Sequence, residues 1–382
     1  GSVGDAFSAI CCLQIFRFTS SKPSKSAIAS DEKFIRFRTN SFVRYCLSNQ
    51  SIYDLKEELI MNKRTRVFNA LDKKPVDHVP VGFWYHFAGE QAVGEGCVKA
   101  HKDYVHDCDL DMLKIMCDGY FPYPVPEDCK TASDWKNLKP LGKDHPFIKE
   151  QVERARRLVE EVGKEMPVFY NVFAPFSSIR FGAGEDRVMH DIREDKLAVM
   201  HALDVIAQDN ALLAELLITE AGCDGVYYCV QGGEVGRFTV DEYKEMIAPS
   251  DLYVLEHANR FSKYNIMHCC GWAGAKNQIE LWKDYPVKCI NWAVYVEELP
   301  LEEGRYYFGD KACLGGFQSL HQEGKTHKGV LHNGTKEEVQ EFTRNLILSF
   351  GKRGLLLGAD CTVNEHIDHD RIRWVVEAAR SI

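Results

Sequence analysis

The sequence predicts an α/β protein of the (β/α)8 TIM-barrel class, with a single catalytic domain over residues 61–382. From Met61 onward, short β-rich runs alternate with longer amphipathic segments, which is the pattern of parallel βα units. Eight such runs are present, and their spacing suits one barrel with insertions. A doubly wound open sheet is the alternative, but no G-x-G-x-x-G motif follows an early strand.

The predicted strands are the short runs rich in β-branched, aromatic and other apolar residues, at 79–84, 112–117, 167–173, 225–230, 264–269, 287–292, 312–317 and 354–359. Helical patterns lie between them, the longest at 145–163, 195–222 and 335–354. The last of these begins with a capping box, because Glu338 follows Thr335 by three residues, and it ends near Gly351.

The first sixty residues differ from the rest of the chain. The initial Gly-Ser resembles a cloning scar, and the segment that follows is rich in Ser, Lys and Arg without a clear apolar period. An organelle transit peptide has this composition. Non-native sequence upstream of a true start at Met61 explains it equally well, and we favour this second interpretation. We expect a poorly structured or helical extension over 1–60, with no catalytic role.

Composition excludes several classes of function. Hydrophobic residues make up 45% and charged residues 27% of the chain, and the formal net charge is −9. An acidic chain lacks the basic surface with which proteins bind nucleic acid or an anionic membrane. No apolar run reaches the roughly 18 residues of a spanning helix. The 14 cysteines are too dispersed for a disulfide framework, so we expect most of them to be reduced core residues of a cytoplasmic protein.

One short stretch, "IMHCCG", predicts a metal site. Side chains alternate along a strand, so His268 and Cys270 point to one face and Cys269 to the other. The strand over 354–359 likewise leads to a cysteine, Cys361, and the C-terminal strand ends of a barrel form its active site. One imidazole and two thiolates suit zinc and leave a fourth position open. The alternatives are incidental core residues or a redox pair of adjacent cysteines, which bridge only with strain.

Several stretches resemble the uroporphyrinogen decarboxylase superfamily, and within it the zinc-dependent corrinoid:coenzyme M methyltransferases. The runs "KRTRVFNALDKKPVDHVPVGFW", "APFSSIRFGAG" and "EAGCDGVYY" are similar to the superfamily's start, its "GPF" segment and its "EAGAD" stretch. "IMHCCG" and "LLGADCTVNEHIDHD" resemble the parts that carry the methyltransferases' histidine and cysteines. The resemblance, which covers most of residues 61–382, implies a (β/α)8 barrel with His268, Cys270 and Cys361 as zinc ligands.

Two stretches of the sequence differ from the pattern of this superfamily. The arginine-rich element that holds porphyrin carboxylates in the decarboxylases is replaced here by "GFWYHFAGEQA", which contains His86 and no arginine. After Cys361 the chain has "TVNEHIDHD" where the methyltransferases have a proline-rich turn. We interpret His366, Asp368 and His369 in that loop as a solvated helix start rather than as catalytic residues.

The sequence therefore predicts a zinc-dependent methyltransferase. It would move a methyl group from a methyl-corrinoid on a partner protein, or from a small methylated donor, to a zinc-activated thiol or to tetrahydrofolate. The predicted catalytic residues are Tyr228, Gln231 and Asn291, and the further polar candidates are Asn171, Ser177, Glu234 and Gln318. The alternatives are a decarboxylase-like lyase for another small carboxylated substrate and a non-catalytic binding barrel. The sequence leaves the oligomeric state open and is compatible with a homo-oligomer.

Overall fold

Seven parallel strands form the sheet of the structure, a computed structural model that describes residues 61–271, 274–319 and 329–382. Each strand pairs in parallel with the next one along the chain. The strands are β1 (Leu113–Ile115), β2 (Val168–Phe173), β3 (Gly225–Val230), β4 (Ile266–Cys269), β5 (Cys289–Trp292), β6 (Ala312–Phe317) and β7 (Leu355–Ala359). The predicted extension over 1–60 lies outside the described residues.

The segment predicted as the first strand, 79–84, connects the two ends of this sheet. Val81 forms an isolated parallel bridge with Leu357 of β7, and Gly82 N donates to Leu357 O at 2.9 Å. On its other side, Val81 O accepts a hydrogen bond from Asp111 N at 2.9 Å, two residues before β1. Because one segment bonds to both ends, the sheet is curled and TIM-barrel-like.

The prediction of eight regular strands is therefore wrong in its first member. The described residues form seven strands and one isolated bridge at Val81. Pro80 supplies the physical reason, because proline has no N–H to donate and so shortens any ladder that it enters.

Helices fill the connections between the strands. They are α1 (Lys63–Leu71), α2 (Gly94–Asp107), α3 (Pro146–Val162), α4 (Pro175–Ala183), α5 (Glu185–Glu194), α6 (Lys196–Thr219), α7 (Val240–Met246), α8 (Ala248–Ala258), α9 (Val294–Glu297), α10 (Leu301–Tyr307), α11 (Val330–Asn333), α12 (Lys336–Phe350) and α13 (His369–Arg380). Short 3-10 helices cover Gly89–Ala92, Ala132–Asn137 and Ile279–Trp282.

The three longest predicted helices are confirmed as α3, α6 and α12, each shorter than its sequence pattern by a few residues. The capping box at the start of α12 is present, because Thr335 N donates to Glu338 Oε2 at 2.7 Å and Glu338 N donates to Thr335 Oγ1 at 3.3 Å. Of the helices in the described ranges, α6 alone is long and apolar enough to cross a membrane, and 67% of its most apolar window is buried inside the protein.

The strands are buried on both faces, as parallel strands covered by helices are. All six residues of β3 and all five of β7 are buried. The cysteines of the described ranges are buried and free of disulfides, so the prediction of reduced core cysteines is confirmed there. Three of them, Cys229, Cys270 and Cys361, lie at the C-terminal ends of β3, β4 and β7.

Candidate metal centre

A buried cluster of one imidazole and two thiols lies at the C-terminal ends of β3 and β4. The ligand atoms of Cys229, His268 and Cys270 all lie within 4.8 Å of one another. Cys229 and His268 are direct partners in the parallel register of the two strands. Cys270 follows His268 by two residues and shares its face, and Cys270 N extends the ladder by donating to Val230 O at 3.1 Å.

Cys361 approaches the same cluster from the end of β7. It packs with Cys229 and Cys270 against Phe173, and its backbone N donates to Ser319 Oγ at 3.1 Å. Contact with Cys270, followed by burial, raises the pKa of the Cys361 thiol to about 12, while a hydrogen bond with His268 acts in the opposite direction. The structure thus brings Cys361 into contact with the predicted ligands His268 and Cys270, although the set of ligand atoms that lie within 4.8 Å of one another contains Cys229 in place of Cys361.

The alternation argument for Cys270 agrees with the packing. Cys269 is part of the main hydrophobic core, whereas Cys270 belongs to the separate cysteine cluster. Burial raises the pKa of the Cys269 thiol well above its usual value, which is typical of an inert core cysteine. Both cysteines are free, so the structure gives no support to a redox pair.

Asn291 fixes the orientation and tautomer of His268. Its Nδ2 donates to Leu314 O at 2.7 Å and to Ala359 O at 3.0 Å, so its Oδ1 must face the other way. That oxygen accepts from Tyr227 OH at 3.0 Å and meets Nδ1 of His268. Since Oδ1 is only an acceptor, Nδ1 carries the proton and Nε2 keeps its lone pair. Metal-binding histidines are commonly held in this way.

A small cavity opens beside the cluster. Its volume is about 200 Å³, which is below the usual range of about 300–1,000 Å³ for drug-sized ligands and suits a small substrate. The walls are largely aromatic, formed by Trp84, Phe121, Phe173 and Phe181, and all four cluster residues line the cavity. Larger cavities of about 570 and 600 Å³ are lined by other residues and lie away from the cysteines.

Lys114 points a buried ammonium group at this cavity. Its Nζ lies 3.9 Å from the ring centroid of Tyr227 and 4.5 Å from that of Trp84. Burial lowers the pKa of Lys114, and the thiols of Cys229 and Cys361 act against that shift. Among the described residues, no carboxylate forms a salt bridge with it. Lys114 is therefore a buried amine that faces thiols, and burial favours its neutral form.

His86 lines the cavity, and Arg180 lies behind Gln231, outside the residues that line it. His86 Nδ1 lies 2.8 Å from Asp118 Oδ1, and Asp118 Oδ2 accepts from Phe87 N at 2.8 Å. The carboxylate thus holds the proton on Nδ1 and leaves Nε2 able to accept another. Arg180 donates to Gln231 Oε1 at 2.7 Å. Gln231 in turn contacts the Cys270 thiol.

The three predicted catalytic residues lie at different places relative to the cavity. Gln231 lines the cavity and Asn291 lies behind His268. Tyr228 is not brought to the cluster, because it points to the opposite face of β3 from Cys229. Its buried hydroxyl has no hydrogen-bond partner, and burial, followed by the Asp251 carboxyl, raises its pKa well above the usual value.

Of the other polar candidates, one lines the cavity and three do not. Asn171 lines the cavity and donates to Cys117 Sγ at 3.0 Å, whereas Ser177, Glu234 and Gln318 do not line it. In the last loop, Asp368 caps α13 by accepting from Asp370 N at 3.0 Å. The helix start is confirmed, whereas His369 is half-buried against Tyr85 and Tyr104 rather than solvated. The absence of a catalytic role for the loop stays a prediction.

Sequence reasoning missed Cys229, Lys114 and the His86–Asp118 pair. Cys229 lies on the same face as Tyr227, two residues along β3, at the end of a predicted strand. That position was a usable signal, by the same rule that selected Cys270. The contacts of Lys114 and Asp118 join distant parts of the chain and have no local signal.

A TIM-barrel-like sheet with a mainly apolar cavity that thiols line at its C-terminal strand ends defines the class of α/β barrel proteins that bind small molecules at this face. Residues 108–382 match the family model described as uroporphyrinogen decarboxylase (URO-D), and the chain belongs to this family. The resemblance predicted from the sequence is confirmed. A comparison with curated protein sequences found no significant match.

Solved structures are similar in fold. One described as a methyltransferase from Methanosarcina mazei has a TM-score of 0.62 at 13% identity, over 84% of this chain and 99% of that one. A B12-independent methionine synthase from Shewanella sp. W3-18-1 in complex with selenomethionine has a TM-score of 0.47 at 14% identity, over 80% and 97%. At these identities the likeness concerns the fold alone.

Proposed function

We propose that the chain is a zinc-dependent methyltransferase, which moves a methyl group from a methyl-corrinoid, or a small methylated donor, to a thiol. The observation that carries this proposal is the convergence of His268 and three cysteines on one buried cavity. The methyltransferase among the structures of similar fold is in keeping with it. The proposal includes a cytoplasmic location and a (β/α)8-type barrel in which 79–84 closes the sheet through the bridge at Val81 rather than as a regular strand.

The residues present fit zinc. His268, Cys270 and Cys361 would hold it, since imidazole and thiolate are the donors that zinc prefers. Asn291 already holds the imidazole with Nε2 free for a metal. When bound, zinc would lower the pKa of an acceptor thiol and keep it as a nucleophilic thiolate.

The chain's own residues supply the rest of the reaction. The aromatic walls exclude water from the thiolate, and the Lys114 ammonium stabilises negative charge in the cavity. His86 Nε2 carries the proton that the thiol loses, while Asp118 holds the ring. The thiolate's electron pair forms the carbon–sulfur bond, and the pair of the broken methyl bond stays on the donor. Gln231 is placed to contact the substrate, and Asn291 acts through His268.

The donor and acceptor follow from the size of the cavity. About 200 Å³ admits a small thiol but not a corrinoid, so the corrinoid would approach on a partner protein over the cavity mouth. Tetrahydrofolate is a second acceptor in this proposal, bound with only its reactive end inside. Tyr228 has no role here, because its hydroxyl lies on the other face of β3.

A lyase that acts on a small carboxylated substrate is the second candidate. The buried side chain of Lys114, which lines the cavity, favours it, because its protonated form could hold a carboxylate there. Such a lyase needs no metal. The two functions therefore differ in whether activity survives removal of zinc.

Incubation of zinc-loaded protein with a methylated corrinoid and a panel of thiols, including coenzyme M and homocysteine, tests the proposal. We expect a thioether product from one of the thiols, and none after chelation of the zinc or in Cys361→Ser. Cys269→Ser is the matched control, since Cys269 faces the core, and it should retain activity. The absence of a thioether with every thiol, or its formation without zinc, would contradict the proposal.

A further inference from the structure

We propose that Cys229 is a fourth metal ligand, which completes a set of one imidazole and three thiolates until a substrate thiol replaces it. The inference rests on the proposed function only in its assumption that the cluster binds zinc. It adds a ligand outside the predicted His268, Cys270 and Cys361. It also makes substrate binding an exchange of one sulfur for another.

The geometry of β3 and β4 places Cys229 at the metal position. Its Sγ lies within 4.8 Å of the ligand atoms of both His268 and Cys270. Cys229 and His268 are register partners on adjacent hydrogen-bonded strands, so their side chains project from neighbouring points of a rigid sheet. Four donors in such an arrangement satisfy the tetrahedral preference of zinc.

Lys114 lies beside the same cluster. It lines the cavity, and its Nζ lies 3.9 Å from the ring centroid of Tyr227. Burial lowers the pKa of Lys114, and the thiols of Cys229 and Cys361 act against that shift. A third thiolate would make the metal group singly negative and would favour the charged form of Lys114, since buried charges are costly unless they are compensated.

His268 is the ligand least able to leave, because Asn291 holds it from behind. Cys229, Cys270 and Cys361 all line the cavity that a substrate would enter. We assign the exchange to Cys229, since the other two cysteines belong to the ligand set that the sequence resemblance implies.

The exchange balances in protons and electrons. The entering thiol gives up its proton as its sulfur takes the metal position, and the leaving Cys229 thiolate accepts one proton to become a thiol. No bond to carbon changes and nothing is oxidised. Thiol binding to the wild-type protein should therefore release no net proton, whereas a protein without Cys229 should release about one proton per thiol bound.

X-ray absorption at the zinc edge, on the full chain, counts the sulfur ligands. We expect three sulfurs in the wild-type protein without thiol, and two sulfurs with an added oxygen or nitrogen neighbour in Cys229→Ser. Cys269→Ser is the control and should keep three. Addition of coenzyme M or homocysteine should leave the wild-type count at three and raise that of Cys229→Ser from two to three.

Two outcomes would overturn the inference. One is a count of two sulfurs in the thiol-free wild-type protein, and the other is a count that Cys229→Ser leaves unchanged. Circular dichroism of each variant distinguishes ligand loss from misfolding, and Cys229→Ala provides a second variant of smaller size. If Cys229 ligates but no thiol raises the sulfur count of Cys229→Ser, Cys229 stands as a ligand, whereas its exchange and the thiol-methyltransferase proposal both fail.

Discussion

Replacement of Asn291 by alanine should weaken zinc binding without removing any ligand. The amide of Asn291 forms four buried hydrogen bonds, to Nδ1 of His268, to Tyr227 OH and to the carbonyls of Leu314 and Ala359. Loss of the bond to His268 frees the ring to rotate and to change tautomer. Removal of such a partner typically costs about 10–100-fold in metal affinity, which corresponds to about 1.4–2.7 kcal/mol.

The same change should also destabilise the zinc-free protein. Four hydrogen bonds at roughly 1 kcal/mol each amount to about 4 kcal/mol of unfolding free energy. Asn265→Ala is the matched control, because Asn265 is equally buried and forms three hydrogen bonds, to Val226 N, Asn259 Oδ1 and Ser262 O. It should lose about 3 kcal/mol of stability and keep its zinc affinity.

Competition with a chromogenic chelator measures the zinc affinity of each variant, and urea unfolding of the zinc-free forms measures stability. The reasoning predicts that only Asn291→Ala has a weakened affinity, although both variants are destabilised. Equal zinc affinity in Asn291→Ala and the wild-type protein would refute the assignment of Asn291 as the residue that positions His268. An equal loss of zinc affinity in both variants would mean that the effect comes from general destabilisation.

The remaining predictions concern the metal, pH and the first sixty residues. Metal analysis should give about one zinc per wild-type chain and little in any single ligand variant, namely His268→Ala, Cys270→Ser and Cys361→Ser. Burial raises the pKa of Asp251 to about 7, against hydrogen bonds from Tyr285 and Tyr243, so the folded protein retains a proton that the unfolded chain loses near pH 4. Stability should thus fall by about 3 kcal/mol as pH rises from 4 to 7, and urea unfolding of Asp251→Asn should not show that fall. A variant that begins at Met61 should keep the melting temperature and zinc content of the full chain, and a large drop in either would contradict this.

The strands and long helices were predictable because their signals are local. Apolar runs bounded by turn residues marked β2 to β7, and the capping box of α12 is legible from Thr335 and Glu338 alone. The segment 79–84 failed as a regular strand because Pro80 cannot donate to the ladder. The strand prediction thus failed because of one residue within an otherwise favourable pattern.

The metal cluster was predictable in part for the same reason. Alternation along β4 selected Cys270 over Cys269, and the packing agrees. Applied to β3, the rule would have preferred Cys229 to Tyr228, which lies on the other face. Register between strands, which makes Cys229 the partner of His268, is not contained in any local pattern. The roles of Lys114 and Asn291 likewise depend on contacts between distant segments.

Transfer of an isotopically labelled methyl group tests the central claim most directly. Zinc-loaded protein would be mixed with labelled methylcobalamin and each thiol in turn, and the thioether and demethylated corrinoid would be quantified together. Our account predicts equal amounts of the two products with the true acceptor, and neither product above the uncatalysed background in His268→Ala. Equal rates in the wild-type protein and His268→Ala with every thiol would contradict it.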